Sequence, residues 1–328
     1  MVNFFQPDAD LSLFTILIYN LRMLKKISHK EIIWVDLENP TEDETRQIIS
    51  EYGIHPLVAK ELLGPTLRPK VEIHENFIYL ILHFPTWKRD KAGRSIKQQE
   101  VDFIIGKDFI ITSHNDSMDV LHQVFKHFEV KSILEHGDME EHAGFVFYYM
   151  VKKLYESLNG ELEAVEDSIR QIEENIFHGK ERAMVMRLSR VSRDLLDVRR
   201  AISQHEETLK SFEIAGKRFF GDNFIYHLRA ILGEYYKVNN AVVNHFESIA
   251  ELRETNNSLL NTKETETMKM ITLVAFLTLP ASVVTNFFQM GTVYTPIVGQ
   301  PNDWLIVTGV TVLSTIFLLI LAKIKKWF

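Results

Sequence analysis

The sequence predicts an α+β membrane protein: an N-terminal cytoplasmic α/β domain, long coiled-coil-like helices that form a stalk, and two C-terminal transmembrane helices. Three observations carry this. Short β-branched and aromatic runs alternate with helix-like stretches over the first third, apolar residues recur at intervals of three and four from Val151 to Leu252, and between Met270 and Ala322 the only charged residue is Asp303. With 328 residues, 25% charged and 46% hydrophobic, the chain reads as one membrane module carrying a large soluble part.

Taken in order, Leu11 to Ile18 is apolar, but it is too short to span and lacks a basic flank before it and a small-residue cleavage site after it, so it reads as part of a strand. Strands are expected at Phe14–Leu21, Ile32–Leu37, Phe77–Phe84, Val101–Ile105 and Phe109–Ser113, with a hairpin turn at Ile105-Gly-Lys-Asp-Phe109. Pro40-Thr-Glu-Asp-Glu44 starts a helix, with Thr41 as N-cap and acids in the first turn. Val151, Leu154, Leu158, Leu162, Val165, Ile169, Ile172 and Ile176 then trace one long helix and Met184 to Ile202 a second, each with one narrow apolar seam, joined near His178-Gly179.

A third pattern runs from Leu228 to Leu252, with no Pro or Gly between Glu234 and Met268. It predicts one helix of roughly 60 residues, about 90 Å at 1.5 Å per residue, running directly into the first span. Such a helix either couples the soluble part mechanically to the bilayer or serves as a plain coiled-coil stalk.

Met270–Phe288 and Trp304–Ala322 each match the roughly 20 residues a helix needs to cross the hydrocarbon. Gln289–Asp303 is too short and polar to be anything but a hairpin loop. Lys263 and Lys269 precede the first span, Lys323, Lys325 and Lys326 follow the second, and the loop has no Lys or Arg, so both termini are expected on the cytoplasmic side of a cell (inner or plasma) membrane. The expected division is therefore 1–130 for the α/β domain, 131–262 for the cytoplasmic helices, 263–288 for the stalk end and first span, 289–303 for the outer loop, 304–322 for the second span and 323–328 for a basic tail.

The first 262 residues carry a net charge of −9, which argues against a nucleic-acid partner and suits attraction of cations. The absence of cysteine excludes disulfides and thiolate metal sites. No Gly-rich phosphate loop, nucleophile elbow or paired His-Glu motif is present, so an enzyme is not expected. His136-Gly-Asp-Met-Glu-Glu-His142 reads first as a solvated loop and second as a metal site. The acidic run Glu161, Glu163, Glu166, Asp167, Glu173 and Glu174 reads first as a solvated face and second as a divalent-ion sensor.

The first span holds a more specific pattern. Thr265, Met268, Thr272, Ala275, Leu279, Ser282, Asn286 and Met290 recur every three or four residues, making one face mostly small or polar. Close helix packing accounts for Ala275 and Ser282. Asn286 demands more, because an amide at bilayer depth needs partners in a bundle or a water-filled path. Pore lining and plain packing both remain open on these residues, and a pore requires several copies around an axis, since two helices enclose nothing. Pro280 removes one backbone hydrogen bond mid-span and hints at a hinge.

Along nearly its whole length the chain resembles the CorA family of divalent-cation transporters. The resemblance rests on Ile33-Trp-Val-Asp-Leu-Glu-Asn-Pro-Thr41, Gly53-Ile-His-Pro56, Arg68-Pro-Lys-Val-Glu72, Gly106-Lys-Asp-Phe-Ile-Ile-Thr112, Met268-Lys-Met-Ile-Thr272, Leu279-Pro280 and Lys325-Lys-Trp-Phe328. It implies a homopentameric funnel in which the stalk helix continues as the pore helix and the second span forms an outer ring. It also implies no cofactor, a transported or regulatory divalent cation (Mg²⁺, with Zn²⁺ or Co²⁺ as alternatives), and the bilayer and further copies of itself as partners. The family's Gly-Met-Asn signature at the outer mouth is matched by Gln289-Met290-Gly291, so Gly stands where the Asn amide would face the ion. Asn286 and Gln289 are the expected metal-contacting residues, with Met290, Gly291 and Thr292 completing the mouth. Thr265, Met268, Thr272, Ala275, Leu279 and Ser282 are expected along the path, with apolar members as hydrophobic gates. A lower acidic position of the family is matched by Glu254, and a higher sensing position by Ala230. A zinc or less selective cation transporter and a non-conducting scaffold are the alternative readings.

Overall fold

The computed structural model describes residues 24–29, 31–90, 93–116, 118–134, 142–290, 299 and 301–325. The expected Phe14–Leu21 strand, the His136–Glu141 part of the histidine motif, Gly291, Thr292 and the last residues of the basic tail lie outside them.

Among the described residues six strands form one sheet in the order β1-β2-β6-β5-β4-β3: β1 (Leu24–His29), β2 (Ile32–Glu38), β3 (Lys70–Ile73), β4 (Ile78–Asp90), β5 (Gly93–Ile105) and β6 (Phe109–His114). All neighbours are antiparallel except β2 and β6, which pair in parallel with Asp36 opposite Thr112. The turn at Gly106 closes as expected, its N–H donating to the Phe109 carbonyl at 2.8 Å. The sheet has two strands that the periodicity did not predict, β1 and β3, and both are edges among the described strands. Edge strands carry charge that blunts further pairing, here Lys25, Lys26, Lys70 and Glu72, and that charge hides the alternation.

Both faces of the sheet are covered, as alternation along a strand requires. Tyr79, Ile81, Val35, Leu37 and Ile104 point to one side, against α1 (Glu42–Tyr52) and α2 (Pro56–Glu61). Thr41 caps α1 in a reciprocal box with Glu44, and Gly53 ends it at φ +65°, a conformation glycine adopts without strain. Ile78, Leu80, Leu82, Phe84, Phe103 and Ile110 point to the other side. There they share one continuous apolar core with α3 (Asp119–Leu134), α4 (Gly144–Phe177), α5 (Glu181–Ile202), α6 (His205–Phe220) and the soluble half of α7 (Ile225–Gln289).

The expected helix pair is α4 and α5, with the elbow at His178–Lys180 and Gly179 at φ +83°. Its apolar seam from Val151 to Ile176 is buried, and α4 begins a further two turns earlier, where Phe147 and Met150 pack on the sheet. The stalk is a single helix of 65 residues, unbroken through Pro280. After it, α8 (Asp303–Ile324) returns and packs against its membrane half. α7 and α8 are both long and apolar enough to cross a membrane.

One buried node ties the sheet to α4, α6 and the stalk. His205 of α6 donates from Nε2 to the His83 carbonyl of β4 at 2.9 Å and accepts at Nδ1 from the Tyr155 hydroxyl of α4 at 2.7 Å. Phe84 meets the imidazole edge to face, and Tyr235 of α7 lies tilted against it with ring centroids 6.3 Å apart. A second buried network joins β2 to β6. Trp34 Nε1 donates to Thr112 Oγ1 at 2.9 Å, Thr112 donates to Asp36 Oδ1 at 2.6 Å, and His114 Nε2 approaches the same carboxylate oxygen at 3.2 Å. The Trp-Val-Asp motif is thus a structural lock in the sheet.

Candidate functional site

The site is built on one face of α7. In the membrane half, Leu273, Phe276, Leu277, Ala281, Val284 and Phe288 are half-buried and form the side that meets α8. Thr265, Met268, Thr272, Ala275, Leu279, Ser282 and Asn286 are exposed, Met268 at 62% and Leu279 at 64%. At about 100° per residue the mean directions of the two sets differ by about 160°. The small and polar stripe therefore faces away from α8, and packing between the two spans does not account for it.

Two of the stripe's three hydroxyls, Thr265 and Ser282, are oriented by their own backbone. Thr265 donates to the Asn261 carbonyl at 2.8 Å and Ser282 to the Thr278 carbonyl at 3.0 Å. With the hydrogens held inward, the oxygens present lone pairs outward, the polarity that a cation or the water around it needs. Asn286 is exposed and makes no side-chain hydrogen bond among the described residues. Gln289 is the last helical residue, and Met290 has already left the helix at φ −62°, ψ 121°, so the recurrence that placed Met290 on the stripe ends one residue earlier. Gly291 and Thr292 lie outside the described residues.

Below the membrane half the same line continues through Asn261, Asn257 and Glu254 on an exposed groove that also includes Arg253 and Ser258. Sequence reasoning singled out Glu254 alone on this stretch, although the period that found Thr265 extends to Asn257 and Asn261 unchanged. Ala230, at the head of the stalk, is exposed and offers no ligand.

The Lys263 ammonium of the stalk lies 2.7 Å from the Glu181 carboxylate at the tip of the α4–α5 hairpin, whose side chain is 5% exposed. This contact pins the hairpin tip about two turns before Met270, and 82 residues separate its partners. No sequence signal announces it.

The soluble alternatives are weaker. Among the described residues no group of three or more His, Asp or Glu side chains is placed to hold a metal ion. His142 stacks on Phe220 and packs beside Phe145 and Phe224, and burial together with nearby His227 lowers its pKa to about 4. The acidic run on α4 is largely solvent-facing, with Glu166 paired to Arg170 one turn on.

The profile of the CorA family, described as CorA-like Mg²⁺ transporter protein, matches residues 29–326. The chain belongs to the CorA family. Among relatives, the cobalt/magnesium transport protein CorA of Thermotoga maritima is 23% identical over 296 residues, spanning 90% of this chain and 83% of that one. The protein of the same name from Methanocaldococcus jannaschii is 21% identical over 311 residues, spanning 92% and 93%. The solved structure of the complete CorA magnesium transporter from Methanocaldococcus jannaschii superposes with a TM-score of 0.78 at 18% identity, covering 93% of this chain and 95% of that one. The likeness runs through sheet, hairpin, stalk and both apolar helices, so the CorA fold is complete here from β1 to α8.

Proposed function

We propose that this CorA-family chain assembles as a homopentameric pore that carries hydrated divalent cations across a cell membrane. In this reading residues 1–130 and 131–262 form a cytoplasmic funnel, 263–288 the pore-lining stalk end and first span, 289–303 the outer loop, 304–322 an outer ring and 323–328 a basic cytoplasmic tail. Both termini face the cytoplasm. The observation that carries the reading is the unbroken α7, whose exposed polar stripe points away from α8. Five such stripes around an axis make rings of amide and hydroxyl oxygens at Asn286, Ser282, Thr272 and Thr265, separated by apolar rings at Leu279 and Met268. Mg²⁺ dehydrates reluctantly, so oxygen rings that hydrogen-bond its water shell suit it better than a cage of direct ligands. The transport names of the two relatives support a divalent cargo.

Gly291 at the position of the signature Asn supports a second reading, a relaxed or zinc-preferring pore, in which Asn286 and Gln289 replace the lost amide about one turn further in. Uptake of Mg²⁺, Co²⁺, Zn²⁺ and Na⁺ into proteoliposomes separates the two. The primary reading expects Mg²⁺ uptake that Asn286→Leu reduces at least ~10-fold, an amide lost from each ring position. Comparable Na⁺ entry or a strong Zn²⁺ preference moves the assignment to the second reading, and uptake of none of the four ions refutes transport.

A further inference from the structure

The stalk just below the bilayer carries two charged flanks that a single chain leaves unused. Relative to the stripe through Asn261, Thr265 and Met268, Glu264 lies about 70° to one side and Lys269 about 70° to the other, at about 100° per residue. Further out on the Glu264 side sits the hairpin tip held by the Glu181–Lys263 pair, which presents Arg182 over a groove shared with Glu264 and Thr267. Further out on the Lys269 side lies Glu266, in the groove that also holds Ser258 and Thr262. Arg182, Glu264, Glu266 and Lys269 are all exposed and make no ion pair among the described residues of one chain.

A closed ring of identical subunits uses heterologous contacts, so one flank of each stalk meets the opposite flank of the next. The charges are complementary in that arrangement and ordered alike from the axis outward. Glu264 and Lys269 occupy the inner half of their flanks, and Arg182 and Glu266 the outer half. The inner pair is offset by five residues, about 7–8 Å along the helix, within reach of two long side chains.

We propose that these flanks form the contact between neighbouring copies at the membrane entrance. Glu264 pairs with Lys269 of the next copy, and Arg182 at the hairpin tip pairs with Glu266 of the next copy. The inference rests on the ring reading above. It assigns the hairpin tip a second role, since the tip held by Lys263 of its own stalk reaches the adjacent stalk and binds the ring together two turns below Met268 to Thr272.

The chain contains no cysteine, so the test needs no background replacements. Full-length Arg182→Cys/Glu266→Cys protein is treated in detergent with a short bis-methanethiosulfonate crosslinker, because an Arg–Glu pair spans more than the roughly 7 Å between Cα atoms that a direct disulfide can bridge, and its mass is measured by light scattering beforehand. The expected result is a reducible ladder from dimer to closed ring, absent in either single variant. A ring-sized mass without the ladder, or only a reducible monomer of altered mobility, overturns the flank pairing and leaves the ring reading intact. A monomeric mass overturns both. As a second measurement, Arg182→Glu is expected to weaken the association constant of each interface about fivefold, the effect of reversing one exposed pair, and Arg182→Glu/Glu266→Arg to restore it. Failure of the double variant to recover, where the single variant is impaired, also overturns the pairing.

Discussion

Tyr155→Phe tests the node that couples the sheet to the stalk-bearing helices. Tyr155 and His205 are both fully buried. The His83 carbonyl can only accept, so Nε2 of His205 carries the ring proton, Nδ1 is the acceptor, and the Tyr155 hydroxyl is its donor at 2.7 Å. Phenylalanine preserves the ring packed against Phe84 and Tyr235 and removes only that donor. The remaining imidazole lone pair is then buried without a partner, which costs about 1–3 kcal/mol. At about 2–4 °C per kcal/mol for a soluble part of this size, the melting temperature is expected to fall by about 2–12 °C. Intrinsic fluorescence during heating of the detergent-solubilised protein measures this, and Tyr155→Phe/His205→Phe should cost less than the sum of the two single losses, because it removes the acceptor that Tyr155→Phe orphans and leaves only the His83 carbonyl without its donor. A Tyr155→Phe shift below about 1 °C, or a double variant that simply adds two independent losses, refutes the account.

Two further predictions concern pH and one concerns backbone geometry. Burial lowers the pKa of His205 to about 3, against the hydrogen bond to the His83 carbonyl, so the folded protein keeps it neutral. Its contribution is present above the unfolded value of about 6.5 and is lost as pH falls toward 3, by up to about 1.4 kcal/mol per pH unit. His114 behaves oppositely. Burial disfavours its charge, but the hydrogen bond and charge of Asp36 and the Asp116 carbonyl outweigh that and raise its pKa. Its contribution is present below about 6.5 and is lost as pH rises through the raised value. Thermal melts from pH 4 to 9 should therefore show stability falling on both sides of neutrality, with His114→Asn flattening the alkaline limb only. Gly179→Ala should destabilise by about 1–2 kcal/mol, because φ +83° is strained for any residue with a Cβ, whereas Gly160→Ala, with nothing within 4 Å of the new methyl, should stabilise by about 0.5–1 kcal/mol; equal signs in denaturant melts contradict this.

The membrane spans, the single long stalk, the capped α1 and the interior strands β2, β4, β5 and β6 were legible because each is encoded locally. Charge depletion, a period of three to four, or a β-branched run shows itself within a dozen residues. Edge strands β1 and β3 were not, since an edge needs charge and so loses its alternation. Helix α6 was also missed, although Thr208, Leu209, Phe212 and Ala215 repeat at helical spacing and are buried. The candidate pore residues from Thr265 to Asn286 were singled out by their period, but the period alone left both packing and pore lining open.

By itself the sequence determined that this is a CorA-like chain with two membrane helices and a continuous stalk, and it raised the expectation of a pore mouth at Gln289-Met290-Gly291. Only the tertiary structure decided which side of the stalk helix α8 occupies and so which side is free. It also decided the pairing of Glu181 with Lys263, of Tyr155 with His205 and of Trp34 with Thr112, across separations of 82, 50 and 78 residues. The physical reason is the range of the signals. Periodicity and charge act along the chain and can be read from it, whereas the orientation of a helix face and the partner of a buried polar group exist only once distant segments are packed together.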